Sequence, residues 1–278
     1  MKKLLSIFLL LIVGLGLVYE AFIVISIGLN GSQIVQLLSA WGILFIAYAL
    51  PLIVLARHYL KKHHQLAWIL PIAILVGAGA IGPLSGLLNF QLIAVLKQLL
   101  GNNAVLDAWA ASIAPPIVEE TLKMGVALLV IVLFSLRHRV SWLVTGLGVG
   151  LGFQLLEDHT YFMGTFVEQS GSPISQAISR LDMAYASHWL LTAVMTLGVA
   201  TLIFDKASRR SVLPYLWVIG PSLLHAFGNN PFTDEHKWLL VIFVLLGWAL
   251  LWTTRKQAEG WKSSLSPKKQ SPSFFGLF

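Results

Sequence analysis

Long apolar runs alternate with short basic or polar segments from one end of the chain to the other. The first run, 4–18, resumes at 21–29 after Glu20, with no small-residue cleavage site, and reads as a retained first span. Further spans are predicted at 34–56, 66–89, 113–136, 140–161, 184–204, 212–229 and 237–252, each long enough to cross a hydrocarbon core of roughly 30 Å or close to it. Segment 90–100 keeps helical periodicity but carries Gln91, Lys97 and Gln98, which predicts a helix lying at the membrane interface. Gly101-Asn102-Asn103 reads as a turn, and 168–182 as a polar loop. Pro115 and Pro116 are expected in the first turn of the fourth span, where their missing N–H groups would be unpaired anyway. Gly146, Gly148, Gly150 and Gly152 give the fifth span the small-xxx-small spacing that lets other helices approach closely.

The pattern predicts an all-α, polytopic membrane bundle of about eight spans. Composition agrees, with 57% hydrophobic and 11% charged residues in 278. A single integral-membrane domain is expected over 1–254, with its polar core over 113–230, followed by a basic, disordered tail over 255–278. The net charge of +7 does not point to nucleic acid, because the basic residues lie between the spans. Arranging the spans with the N-terminus inside places fifteen of the 19 Lys and Arg residues in cytoplasmic segments and only Lys97, Arg180 and Lys237 outside. That bias puts both termini in the cytoplasm. The chain has no cysteine, which excludes disulfides, thiolate metal sites and a cysteine nucleophile.

Four spans carry polar side chains that are costly inside a bilayer, about 2.5–3.5 kcal/mol for a charge on insertion scales. The fourth holds Glu119-Glu120-Thr121-Leu122-Lys123, whose carboxylates lie i,i+4 and i,i+3 from the lysine. The fifth stacks Phe153, Glu157 and Tyr161 at i,i+4 spacing; the sixth has His188 and Thr192, and the seventh His225 and Asn229. Each alone has a structural explanation, such as an ion pair or a satisfied histidine. Their depths connect them. At 1.5 Å per residue, Glu119, His188 and His225 lie roughly 6–10 Å below one face, and Glu157 is ~25 Å from the other. One site is therefore expected, made of Glu119, Glu120, Glu157, His188, His225 and Asn229, with Lys123, Phe153, Tyr161 and Thr192 supporting it.

Such a site suits peptide hydrolysis. Glu119 or Glu120 can take a proton from water, a second acid or imidazole can orient that water, and His225 with Asn229 can donate to the oxyanion. Alternatively, Glu157, His188 and His225 can be three ligands of a zinc ion, with Glu119 or Glu120 as base; carboxylate-activated water needs no metal and is preferred. Serine chemistry has less support, since Ser85 in Pro83-Leu84-Ser85-Gly86 lacks the glycine of the rhomboid-type motif. Two other classes compete, a proton-coupled transporter using the buried Glu and His residues and a non-catalytic membrane scaffold. No inverted repeat supports the transporter.

At these residues the sequence resembles the PrsW family of intramembrane proteases, whose pattern is EExxK, FxxxE with a following Tyr, HxxxT/S and HxxxN/D on successive spans. Glu119 through Lys123, Phe153 to Glu157 with Tyr161, His188 to Thr192, and His225 to Asn229 match these motifs in order. The resemblance implies an intramembrane endopeptidase of a prokaryotic plasma membrane. Its implied substrates are single-span membrane proteins such as anti-sigma factors, cut near the outer face. Related CAAX prenyl proteases and bacteriocin-immunity proteins have EExxxR and FxxxH; Lys123 and Glu157 depart from both, so prenylated substrates are not expected.

Overall fold

The helix richest in glycine is the one with most neighbours. In the computed structural model, which describes residues 2–60 and 68–260, helices form throughout and no strand occurs among the described residues. In chain order they are α1 (Lys2–Ile27), α2 (Gly31–Leu44), α3 (Leu50–Leu60), α4 (Ile69–Leu100), α5 (Ala104–Leu133), α6 (Arg139–Val167), α7 (Pro173–Ala184), α8 (His188–Phe204), α9 (Leu213–Gly228), α10 (Pro231–Glu235) and α11 (Leu239–Gly260). A π-helical turn, Phe45–Ala49, joins α2 to α3 without a break.

α6 packs most extensively on α4 and α8, and its glycines explain how it serves both. Residues four apart share a helix face, whereas residues two apart lie roughly 200° from one another. Gly146 and Gly150 therefore face α8, where a Cβ would meet the carbonyls of Thr192 and His188. Gly148 and Gly152 face α4, against Ala73 and the carbonyl of Ile74. Without side chains at these four positions, backbones meet on both sides. The only attraction available between helices in lipid is packing and hydrogen bonding, so this closeness matters energetically. α1 docks on α4 the same way, with Gly16 against the Gly79 carbonyl. Pro83, inside α4, removes the N–H that would otherwise bond that carbonyl.

Six helical stretches are long and apolar enough to cross a membrane: Lys2–Ile27, Gly31–Arg57, Ile69–Leu100, Arg139–Val167, Pro173–Phe204 and Leu239–Ala258. The protein is thus an all-helical integral membrane protein. Of the eight expected spans, the other two are present as helices but fall short by those measures. α5 carries Glu119, Glu120 and Lys123 close together, and α9 has only 16 residues.

Other expectations need correction. The interfacial helix expected at 90–100 is not separate, because α4 runs unbroken for 32 residues. Pro115 and Pro116 lie in the middle of α5 rather than in its first turn, since the helix starts at Ala104 with Asn103 as its cap. The polar loop expected at 168–182 is largely α7, capped by Ser172 with Pro173 in its first turn. α11 extends to Gly260, beyond residue 254 where the tail was expected to begin. Lys61, Lys62, His63 and His64 of the second basic loop, and Lys262, Lys268 and Lys269 of the tail, lie outside the described residues.

At the end of the bundle where α6 begins, Arg139 ties three helices together. Its Nη2 donates to Asp205 Oδ2 (2.6 Å) and Ser208 Oγ (2.6 Å), and Nη1 to the Gln257 side chain on α11 (3.3 Å). Burial would raise the Asp205 pKa, but bonds from Arg139 and Ser208 outweigh it and hold the carboxyl below the usual range. This clamp is therefore fully formed above the ordinary Asp pKa and weakens as pH falls through the lowered one.

The close approach of α6 to α8 yields a direct test. A Cβ at Gly150 would lie less than 3.0 Å from the backbone of His188 and Trp189. Gly150→Ala should lower stability by about 1–3 kcal/mol, as overpacking does. Gly164→Ala, on the same helix with nothing within 4 Å of a new Cβ, should leave it unchanged. Thermal unfolding in detergent distinguishes the two outcomes.

Candidate active site

The helix interior of α5 brings the first polar group inward. Glu119, Glu120 and Lys123 are all buried, Lys123 completely at 0% exposure. A lysine with no access to solvent must have its charge satisfied by its neighbours. Lys123 Nζ lies 2.7 Å from Glu120 Oε1 and 3.5 Å from Glu119 Oε2, the i,i+3 and i,i+4 spacing acting as expected. It also lies 2.7 Å from His188 Nδ1 and 4.2 Å from the centroid of the Phe153 ring.

α8 and α9 contribute the histidines. An ammonium only donates, so His188 Nδ1 accepts from Lys123, and its Nε2–H donates to Glu157 Oε2 at 3.1 Å. His225 Nδ1 is 3.0 Å from Glu120 Oε1 and donates to it, which leaves Nε2 with a free lone pair. The two rings meet edge to face at 5.0 Å, and Phe153 packs against His188 at 4.9 Å. Gly150 makes this possible, since it admits the His188 backbone directly against α6.

Glu119, Glu120, Lys123, Phe153, Glu157, His188 and His225 are therefore brought together, as their common depth predicts. Three residues are not. Asn229 caps the end of α9, and its Nδ2 donates to the Ala111 carbonyl at 3.3 Å. Pro115 explains that bond, because a proline four residues on leaves the carbonyl without its helical donor. Ser112 Oγ returns a bond to the Asn229 carbonyl at 2.9 Å, so the pair ties α9 to α5. Thr192 Oγ1 is buried and makes no hydrogen bond among the described residues. Tyr161 is exposed and stacks on Arg180, 4.4 Å from ring centroid to guanidinium carbon.

Four residues that the motifs do not contain also enter. Asn89 of α4 donates to Glu119 Oε1 at 3.0 Å. Arg180 of α7 donates through Nη2 to Glu157 and through Nε to Asp158 Oδ1 at 2.5 Å. The hydroxyl of Tyr48, in the π-helical turn, donates to Asp158 Oδ2 at 2.5 Å. The sequence holds a signal for α7: Ser172 and Pro173 are helix-start residues, and Ile174, Ile178 and Leu181 follow at i, i+4 and i+7.

The donor set suits a divalent metal. Glu119, His188 and His225 each offer an atom, and these atoms lie within 4.8 Å of one another. Glu157, expected from the sequence as the carboxylate ligand, is engaged by Arg180 instead, and Glu119 takes its place. Among the described residues, the buried Oε2 atoms of Glu119 and Glu120 have no hydrogen-bond partner, and Lys123 approaches that of Glu119 only to 3.5 Å. Four carboxylates, Glu119, Glu120, Glu157 and Asp158, face two cations, Lys123 and Arg180, so a dication would balance the charge. Glu120 behind His225 and Glu157 behind His188 supply the carboxylate–histidine pairing typical of metal ligands.

Helix lengths set where the cluster lies along the bundle. α8 begins at His188 and α9 ends three residues after His225, while α4 continues eleven residues past Asn89 and α6 ten past Glu157. The polar cluster therefore sits below the ends of its longer neighbours. Glu157 and Arg180 are its partly open members, with side chains 21% and 19% exposed, against 1% for Glu120.

Comparison with known proteins gives one result. No curated protein and no solved structure matches the chain. The model of a family described as PrsW family intramembrane metalloprotease matches residues 65–254, more than half of the 278 and inclusive of every residue of the cluster except Tyr48. A buried Glu/His/His group within an all-helical membrane bundle is what a membrane-embedded metalloprotease requires, and the chain belongs to the PrsW family of intramembrane metalloproteases.

Proposed function

We propose that the protein cuts single-span membrane proteins, of the anti-sigma-factor type, near the outer face of a prokaryotic plasma membrane. Its membership of an intramembrane metalloprotease family makes it a peptidase acting on membrane proteins within the bilayer. The outer location rests on the excess of basic residues in the segments assigned to the cytoplasm, which orients both termini inward. A single integral-membrane domain carries the activity in this reading.

The observation that carries the mechanism is the buried Glu119–His188–His225 group. In this reading these three hold a divalent cation. Bound there, it would polarise the scissile carbonyl and make a water more acidic. Glu120 keeps His225 in the tautomer that leaves Nε2 free, and Glu157 does the corresponding work at His188. Glu120 Oε2, buried and without a hydrogen-bond partner among the described residues, is the acceptor for the proton of the attacking water. As the C–N bond breaks, the same carboxyl returns that proton to the departing amine. Lys123 keeps two adjacent carboxylates together inside the bundle, and the ring of Phe153 shields it from water.

One observation favours a second reading without a metal. The Lys123 ammonium lies 2.7 Å from His188 Nδ1, where its charge opposes a dication. In that case Glu119 or Glu120 activates water alone, and the lysine provides the positive charge.

Metal analysis separates the readings. The first expects about one equivalent of divalent metal in purified protein, lost in His225→Ala, and activity removed by chelation and restored by metal. Full cleavage by metal-free protein overturns it in favour of the second. Under the first reading, Glu120→Gln should cut cleavage of a single-span reporter by at least ~10²-fold, and wild-type rates would exclude Glu120 as the base. Lys123→Ala should cost about 3–5 kcal/mol, as removal of one partner from a buried pair does, and reduce protein accumulation. Asn229→Ala should cost about 1 kcal/mol, the low end for a half-exposed group that leaves a carbonyl unpaired. A loss of cleavage in Asn229→Ala at unchanged stability would instead support the oxyanion role expected from the sequence.

A further inference from the structure

Glu157 is the least enclosed carboxylate of the catalytic cluster, and a long side chain in that position has many conformers open to it. Two contacts hold it among the described residues: His188 Nε2 at 3.1 Å and the Arg180 guanidinium. Arg180 arrives from α7, outside the four motif-bearing helices. Its Nε donates to Asp158 Oδ1 at 2.5 Å while Nη2 donates to Glu157 Oε2. Glu157 and Asp158 are neighbours in α6, so their side chains leave the helix about 100° apart. One planar fork spans both, which a lysine's point charge cannot do. The plane of the fork is itself supported by the Tyr161 ring at 4.4 Å. Behind it, Tyr48 occupies the other oxygen of Asp158, so Asp158 is fixed before Arg180 reaches it.

We infer that Arg180 is a positioning residue of the active site: anchored on Asp158, it holds Glu157 where that carboxylate accepts the Nε2–H of His188. The chain of contacts runs from Tyr48 through Asp158, Arg180 and Glu157 to His188. Arg180 touches neither of the other two metal-type donors, Glu119 and His225, in any hydrogen bond or ion pair, so its effect passes through Glu157. It also neutralises Glu157, which keeps that side chain behind His188 and leaves Glu119 as the carboxylate grouped with the two histidines. α7 thereby becomes part of the catalytic apparatus. The inference rests on His188 working at the reacting centre.

A plain counter-ion role for Arg180 must be separated from positioning, because Asp158 is 1% exposed and would be left as a bare buried charge. The double variant Arg180→Gln with Asp158→Asn removes that burden while still releasing Glu157. Three measurements are made on full-length protein in detergent: thermal unfolding, cleavage of a single-span reporter that the wild type cuts, and ¹⁵N NMR of labelled histidine, with His188→Gln assigning the signal. Positioning predicts a wild-type unfolding temperature for the double variant and kcat reduced by ~10–100-fold, with KM little changed. Lys123 holds the tautomer of His188 in either protein, so the signal that moves is the Nε2–H itself: hydrogen-bonded and slow to exchange with solvent in the wild type, faster to exchange in the double variant. Arg180→Lys should fall between the two in cleavage, since its ammonium can hold only one carboxylate at a time. A double variant with wild-type cleavage and wild-type Nε2–H exchange overturns the inference and leaves Arg180 as a counter-ion. The Nε2–H exchange signal does not depend on cleavage, so it decides the role of Arg180 even if the assignment of the catalytic centre fails.

Discussion

A lysine with no exposed surface is the constraint on which the rest of the bundle depends. Lys123 cannot be solvated, so the protein surrounds it with Glu119, Glu120, His188 and the face of Phe153. Those partners come from α5, α8 and α6, and Glu120 passes the interaction to His225 on α9. Removing any one of these helices would strand a charge in a medium that cannot hydrate it. The same contacts that stabilise the cluster thus fix the relative positions of four helices. Catalytic geometry and folding share one set of bonds.

α6 makes that arrangement sterically possible. Lipid offers no hydrophobic drive for helices to associate, so their backbones must come close enough for packing and hydrogen bonds to count. Two pairs of glycines, on opposite faces, bring α4 and α8 against α6. From α4 comes Asn89, and from α8 comes His188, each within bonding distance of a carboxylate. A bulkier α6 would separate the donors from the acids by the width of a side chain.

Much of this was legible in the sequence, and the reason is depth. A charged or imidazole side chain in a membrane helix has to meet others at its own level, so counting residues from the span ends gathered Glu119, Glu120, Glu157, His188 and His225 correctly. Counting does not reveal which way a side chain at the edge of a span turns. Asn229 satisfies a carbonyl freed by Pro115, a need created on another helix, at Ala111, 118 positions earlier in the chain. Arg180 escapes the site list because a basic residue in a polar segment reads as part of a loop, whereas the segment is a capped helix that packs on α2 and α6. Tyr48 was hidden within an apolar run, where nothing in the periodicity marks a π-helical turn. The preference for a metal-free site also had no access to distances; the grouping of Glu119 with both histidines emerges only in three dimensions.

The length of α4 has a further meaning for how the protein sits in its bilayer. Thirty-two residues span about 48 Å, and even at a tilt of 40° they cover roughly 37 Å, more than a hydrocarbon core of about 30 Å accepts. At least one end of α4 must therefore emerge, and the hairpin to α5 has the make-up of an emerging end. Its tip is built for a boundary rather than for either phase: Leu99, Leu100 and Val105 are exposed, and Lys97 pairs with Asp107 at 2.6 Å beside them. A tip that is half apolar and half ionic resists both deeper immersion and full withdrawal into water. Such a tip favours one depth in the bilayer, and through α4 and α5 that preference reaches the carboxylate layer.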